Sequence, residues 1–229
     1  LCWTLHKEKV FPSMKILFWN CQGLGNTPTV RARRNIIMTN KPMLLGIAEP
    51  RLKFVCWMDF DWHALGYSFI SANHSENEVE SLWVLKHNSV TVDSCQTNLQ
   101  SVSISYYFQS NYFYVTIVYE LNNYIKRRDF WRNLSEISES MDMRWILVGD
   151  FNTVLRPAEK TGSNFCRASS KDFSSCIDKC RMDEIPVSGA GFTWSRYTIN
   201  GRQASRLDRC LVQMTEGNDF IEISGMTLS

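Results

Sequence analysis

The chain has 229 residues, 44% of them hydrophobic and 13% aromatic, with a formal net charge of +2. A chain of that length can bury roughly 70% of its unfolded surface in one domain, and its composition excludes a polar, highly charged disordered protein. The small charge excludes a platform that grips nucleic acid mainly by neutralising many phosphates, and no apolar run reaches the ~20 residues of a membrane-spanning helix.

The eight cysteines, at 2, 21, 56, 95, 166, 176, 180 and 210, contain no Cys-x-x-Cys pair and no regular framework, which points to reduced thiols. Cys176 and Cys180 are spaced either for half a metal site or for one helical turn of buried thiols. With few histidines nearby, the thiols are the better reading and zinc is set aside. The opening "LCWTLHKEKVFPS" carries too many charges for a signal peptide, so an intracellular protein is expected. Met14 begins the first strand pattern, so residues 1–13 are expected outside a single domain spanning 14–229.

In chain order, "KILFWN" at 15–20 is a strand ended by the turn-rich "CQGLGNTPT". A helix should follow to Asn40, capped by Thr27 or Thr29, with Val30, Ile36 and Ile37 inward and Arg31, Arg33 and Arg34 elsewhere. "MLLGIAEP" at 43–50 is a second strand, ending at Glu49 where Pro50 forbids further ladder bonding. Five short β-branched or aromatic runs between 67 and 119 form a meander. From Ile125 to Met141 the residues Phe130, Leu134, Ile137 and Met141 make one helical stripe, with Arg127, Arg128, Glu136 and Glu139 toward solvent. "WILVGDFN" at 145–152 is a buried strand that exits on Asp150 and Asn152. A last helix, 169–182, can be capped by Ser169 with Asp172 three residues on, packing Phe173, Ile177 and Cys180.

Asn200-Gly201 signals a hairpin. With a two-residue loop, Ile199 pairs with Arg202, which puts Ser195 opposite Arg206 and Thr193 opposite Asp208, all four on one face, with Trp194, Leu207 and Arg209 pointing the other way. Polar residues thus gather at strand exits: Asn20, Glu49, Tyr119, Asp150 and Asn152, with Asp208 on a paired strand. Singly, each has a bland reading as a turn, rim or ion-pair residue. Together, carboxylates and amides suit a hard divalent cation, which takes oxygen ligands and binds through one or two carboxylates plus a phosphate. Hydrolysis is the implied chemistry.

The segments "KILFWNCQGLGN", "IAEP", "VY" at 118–119, "ILVGDFNTVL…EKTG", "GFTWS" and "RLDRCLV" resemble, in order, the motifs of the endonuclease/exonuclease/phosphatase family. The likeness is closest to the apurinic-type endonuclease domain that precedes reverse transcriptase in plant LINE-type non-LTR retrotransposons. It implies an α/β (α+β) fold, a four-layered α/β sandwich of two mixed β-sheets packed face to face with helices outside. It also implies hydrolysis of DNA phosphodiester bonds with Mg²⁺ or Mn²⁺. Carried over by residue, Glu49 would hold the metal and Asn20 line the metal and phosphate site. Tyr119 would bond a phosphate oxygen, and Asp150 would orient or deprotonate the attacking water. Asn152 would hold Asp150 and the phosphate, and Thr193 and Ser195 would face substrate. Asp208 would fix the tautomer of a catalytic histidine.

That histidine belongs to a Ser-Asp-His motif beyond the hairpin, and this chain reads "IEISGMTLS" and stops. The resemblance therefore implies truncation before the Asp-His and the last strand, with weakened activity. None of His6, His63, His74 and His87 can replace it by order. Pro50-Arg51 stands where the family has a hydroxyl residue and lysine, and "VESLWVL" lacks a glycine pair. Three readings stay open: a DNA phosphodiesterase, a phosphatase on a small ester such as a phosphoinositide, and a non-catalytic remnant. A nuclear location is implied by the resemblance alone.

Overall fold

The apolar runs become strands of two mixed sheets in a computed structural model that describes residues 2–6, 14–53, 62–74, 79–108, 111–162, 164–189, 191–199, 201–213 and 222–226. The first half runs β1 (Cys2–His6), β2 (Met14–Asn20), helix α1 (Thr27–Asn40), β3 (Leu44–Ala48), β4 (Tyr67–Ala72), β5 (Leu82–His87), β6 (Val92–Thr97), β7 (Ser101–Phe108) and β8 (Asn111–Tyr119). The second half runs α2 (Tyr124–Glu139), β9 (Arg144–Asp150), β10 (Lys160–Thr161), α3 (Arg167–Lys179), β11 (Met182–Glu184), β12 (Val187–Ser188), β13 (Trp194–Thr198), β14 (Gly201–Ser205), β15 (Asp208–Gln213) and β16 (Glu222–Met226).

A seven-stranded sheet has the order β12-β16-β1-β2-β3-β5-β4, and a six-stranded sheet the order β11-β15-β9-β8-β7-β6. Side chains alternate along each strand, and the layers follow from that. Ile16 and Phe18 face the opposite sheet's Ile104, Val115, Ile117, Ile146 and Val148. Leu17 faces outward with Leu45 and Trp83 onto Ile37 of α1. On the far side Trp145, Leu147 and Leu211 pack against Phe130 and Leu134 of α2 and Phe173 and Cys176 of α3. Helix, sheet, sheet, helix is the four-layered sandwich expected. Cys2–His6, placed outside the domain by the sequence reading, forms β1 between β2 and β16.

Two parallel pairs set the polarity of the molecule. β2 and β3 are parallel and flank α1 in sequence, and β8 and β9 are parallel and flank α2. A strand, helix, parallel strand unit sends both strands the same way, and open α/β sheets bind ligands outside the carboxyl ends of such strands. Asn20 and Ala48 therefore end side by side, as do Tyr119 and Asp150.

Several local expectations change. The α1 cap is Asn26, whose Oδ1 accepts from the Thr29 N–H at 2.8 Å. Arg33 is buried, with its guanidinium 4.8 Å from the Trp62 ring centroid. Arg127 is also buried: Nη1 donates to the carbonyls of Leu121 and Asn152, both at 2.9 Å, and Nη2 to Ser169 Oγ. Ser169 consequently lies inside α3, whose N-cap is Cys166, and Asp172 pairs with Arg128 at 2.7 Å. The hairpin register is offset by two: Thr198 pairs with Gly201, and Ser195 with Ala204 in place of Arg206. Gly201 takes a positive φ of 100° at the start of β14, which moves the turn one residue toward the N-terminus of the expected Asn200-Gly201 loop. The Cys176 and Cys180 sulfurs sit 3.9 Å apart, buried on one face of α3.

A third sheet, β10-β14-β13, stands over the end of the six-stranded one. It is joined to that sheet by Arg209, which is fully buried and donates to Glu184 Oε1 at 2.6 Å and to Glu159 Oε2. Arg206 bridges the same Glu184 at 2.8 Å, so neither arginine pairs with Asp208. Burial alone would raise the Glu159 carboxyl, but the hydrogen bonds from Arg209 outweigh it and hold the group below its ordinary value.

Arg209→Ala leaves the half-buried Glu159 carboxylate without its cation, while Glu184 keeps Arg206, and is expected to cost about 3 kcal/mol, roughly 6–12 °C in Tm. Because the Glu159 pKa is depressed in the fold, its share of stability is present above the unfolded value and is lost as pH falls through the folded one. The Tm gap between the two chains should therefore narrow in acid. Gly149→Ala is the second expected lesion: φ is 144° and a Cβ there would meet Val118 O at 2.0 Å. Thermal melts should show a loss on the order of 2–3 kcal/mol.

Candidate active site

The two β-strand exits meet over one hydrogen bond. Asp150 lies directly across from Asp208 on antiparallel β15 and across from Tyr119 on parallel β8, so the three form one rung on the face turned to the other sheet. From that other sheet Glu49 reaches over, and its Oε1 accepts from Tyr119 Oη at 3.0 Å and from Asn20 Nδ2 at 2.8 Å. Glu49 sits just past β3, with a positive φ of 52° and its N–H bonded to Ser81 O at 2.8 Å. A non-glycine residue held in that region costs about 1–3 kcal/mol and persists where surrounding bonds over-determine it.

Asp150 is held from behind. The Asn152 N–H donates to its Oδ1 at 2.8 Å, Asn152 Nδ2 donates to Glu120 O at 2.6 Å, and Asn152 itself takes a positive φ of 44°. The carbonyl of Asn152 is the one gripped by Arg127, so a buried guanidinium on α2 fixes the loop that aims Asp150. Asp208 is fixed by Thr193, whose Oγ1 accepts from the backbone N–H groups of Leu207 and Asp208 at 2.9 and 3.0 Å.

The electrostatics are those of acids short of a counter-charge. Burial and then the facing Asp208 raise the Asp150 carboxyl well above its ordinary value, and burial raises Asp208 as well. Among the described residues neither carboxylate makes an ion pair. Glu49 behaves oppositely: burial would raise it, but hydrogen bonds from Asn20, Arg51 and Tyr119 carry it below its usual value. Burial raises the Tyr119 hydroxyl, with Glu49 adding to the effect, so Tyr119 stays a donor at neutral pH. Beneath the rung, Glu120 turns to the helical side, where burial pushes its carboxyl far up. Its two oxygens have no hydrogen-bond partner among the described residues.

These residues open on a cavity of about 550 Å³ lined by Asn20, Glu49, Tyr119, Asp150 and Asn152, with Lys160, Trp194, Arg196 and Gln203 on its far wall. The far wall is the small third sheet, with the Arg196 guanidinium 5.5 Å from the Trp194 ring centroid. Five of the expected site residues therefore converge on one cavity, with Asp208 in the same rung. Thr193 acts on Asp208 through the backbone, and Ser195 is exposed on the strand face opposite to Trp194 and Arg196. Lys160, Trp194 and Arg196 were not singled out from the sequence. Strand alternation from Trp194 would have found Arg196, and Lys160 lies in the "EKTG" segment. A second concavity, about 360 Å³ between β6 and α2, brings Asp129 together with amides, hydroxyls and apolar groups and has no facing carboxylates.

The donor set is all oxygen: Glu49 and Asn20 from one sheet, Asp150 and Asp208 from the other. No group of three or more His, Cys, Asp or Glu converges as a metal cage among the described residues. Two carboxylates facing each other in a buried rung, without a cation, nevertheless fit a Mg²⁺ or Mn²⁺ ion that keeps several waters and takes only one or two carboxylates. His74 and His87 bond Thr97 and Ser89 and do not line the cavity.

No protein-family model and no curated protein sequence matches the chain. Solved structures do. The endonuclease domain of TRAS1, a telomere-specific non-LTR retrotransposon, superposes with a TM-score of 0.64 at 12% identity, covering 86% of this chain and 84% of that one. A 3'-5' exonuclease from Neisseria meningitidis gives 0.68 at 18% identity over 87% of both chains. An AP endonuclease from Archaeoglobus fulgidus gives 0.67 at 12% identity over 87% and 86%. At these identities the likeness is one of fold, and the fold is that of the endonuclease/exonuclease/phosphatase proteins.

Proposed function

We propose that the chain is a divalent-metal-dependent phosphodiesterase acting on DNA, with Asp150 at its centre. The observation that carries this reading is the rung: Asp150, buried at the mouth of a cavity whose other wall is cationic and aromatic, has the half-buried Asp208 beside it and no ion pair among the described residues. Glu49 and Asn20 would hold the metal, which when bound supplies positive charge against the charge growing on the phosphoryl oxygens. Asp150 takes the proton of the attacking water, and the Asn152 N–H keeps its second oxygen aimed at that water. Tyr119 is a neutral donor whose single O–H goes to Glu49 in the free protein and would turn to a phosphate oxygen when substrate binds. Lys160 and Arg196 meet flanking phosphates, and Trp194 offers a flat face to a base. That wall is why we place a polymeric substrate ahead of a small phosphate ester. The likeness to a retrotransposon endonuclease supports the same choice, and we keep the retroelement origin as part of the proposal.

Among the described residues no histidine lines the cavity, so no leaving-group acid of that type stands there. Removing such a group costs on the order of 10² to 10⁴ in rate, and we expect slow nicking. Supercoiled plasmid incubated with Mn²⁺ should be nicked measurably, and Asp150→Asn should slow it by at least about 10². Equal rates for the two chains would remove Asp150 from the mechanism. Chelator-resistant cleavage would remove the metal.

The raised Asp150 pKa gives a second expectation, readable without turnover. A group whose pKa is raised on folding stabilises the fold below its unfolded value, and that contribution is lost as pH rises through the folded one. Protons and a cation compete for the same carboxylates. The rise in Tm on adding Mn²⁺ should therefore be larger at pH 8 than at pH 6, and the difference should vanish in Asp150→Asn.

A further inference from the structure

The two oxygens of Glu49 are held by different kinds of partner. Oε1 is tied to the protein's own framework through Asn20 and Tyr119. Oε2 is held by the Arg51 guanidinium, Nη2 at 2.8 Å, in a contact whose arginine side chain is 64% exposed. Oε2 is thus the oxygen that a cation entering from solvent would reach, and a cation is already on it.

The backbone delivers that cation on purpose. Glu49 and Arg51 both take left-handed φ values, 52° and 55°, on either side of Pro50. The loop after β2 is laced to this turn: the Gly23 N–H donates to Glu49 O at 2.8 Å and the Leu24 N–H to Pro50 O at 3.0 Å. The Arg51 stem crosses Gly23, where a Cβ would lie 3.7 Å from its Cδ, and the head returns to Glu49. Two positive-φ positions and a proline restrict the turn, which sets Arg51 beside the carboxylate. Its partner carboxyl is the one acid of the site held below its usual value, partly by this contact.

We propose that Arg51 is a resident counter-ion of Glu49 that an incoming divalent cation must displace, so that Arg51 sets how much metal the site needs. This rests on the reading of Glu49 as a metal ligand. Arginine stays charged at all accessible pH, so the competition does not switch off. A single-contact, solvent-exposed pair is weak, so it is displaced readily and its removal should tighten metal binding by about two- to fivefold. Arg51 is a positioning and competing residue here, distinct from groups that touch the reacting atoms.

The test is Mn²⁺ binding to the full chain, read from the electron paramagnetic resonance signal of free Mn²⁺, at fixed ionic strength. Arg51→Ala and Arg51→Gln should each bind about two- to fivefold more tightly than the unaltered chain. Arg132→Ala, which removes an exposed arginine paired with Asp129 on α2, corrects for net charge and should not tighten binding. Unchanged or weaker binding in both Arg51 variants would overturn the proposal, as would equal tightening by Arg132→Ala. If the unaltered chain binds Mn²⁺ and the Arg51 variants match it, only the counter-ion proposal fails. If no chain binds Mn²⁺, the metal-site reading of Glu49 fails first and takes the proposal with it.

Discussion

The constraint on which the site depends is the placement of Asp150 directly opposite Asp208 on neighbouring antiparallel strands. Two acids in one rung, both raised by burial and one by the other, are unfavourable unless something positive joins them. Folding tolerates the arrangement because the acids can remain protonated, and because the strands that carry them are anchored by Ile146, Val148, Leu211 and Val212 in two separate apolar layers. Marginally stable proteins place strain of this kind where function recovers it.

The surrounding architecture is a set of braces for that rung. Parallel strand pairs bring Asn20 and Glu49 to the same end as Tyr119 and Asp150, and the Tyr119 to Glu49 hydrogen bond closes the gap between sheets. Arg127 grips the Asn152 loop from the helical layer, and Arg209 ties the six-stranded sheet to the third through Glu159, with Glu184 of its own sheet bracing the guanidinium. Both arginines are buried, and both act on backbone or carboxylate partners that position other groups. The site is therefore pre-organised by charge in its supporting layer, while Asp150 and Asp208 have no ion-pair partner among the described residues.

Much of this was legible in the sequence. Buried strands announced themselves as apolar runs ending in Asn20, Glu49, Tyr119 and Asp150, because a strand covered on both faces has no reason to end on a carboxylate except at an exit. What was not legible followed from interactions that leave no local pattern. Arg33 and Arg127 sit at helical positions that read as solvated, and only the tertiary partners Trp62, Ser169 and the Asn152 carbonyl explain their burial. The hairpin register moved by two because the positive φ fell on a paired Gly201, which sequence alone assigns to the loop. That shift by two kept the parity of the pairing but took Ser195 away from the expected partner, while Trp194 and Arg196 share a face simply because they are two apart on one strand. Thr193 was placed beside Asp208 for the wrong reason: it meets that residue's N–H through its hydroxyl, not as a cross-strand neighbour.

The central claim is that Asp150 and Asp208 lie in the field of the cation proposed at Glu49 and Asn20, and that both are raised while neither makes an ion pair among the described residues. Carboxyl ¹³C resonances of these two residues, followed through a pH titration with and without Mg²⁺, test it most directly. The account predicts that without metal at least one of the pair titrates far above the ordinary aspartate range of about 4, and that Mg²⁺ returns it toward or below that range. Two ordinary titrations near 4, unmoved by Mg²⁺, would contradict it.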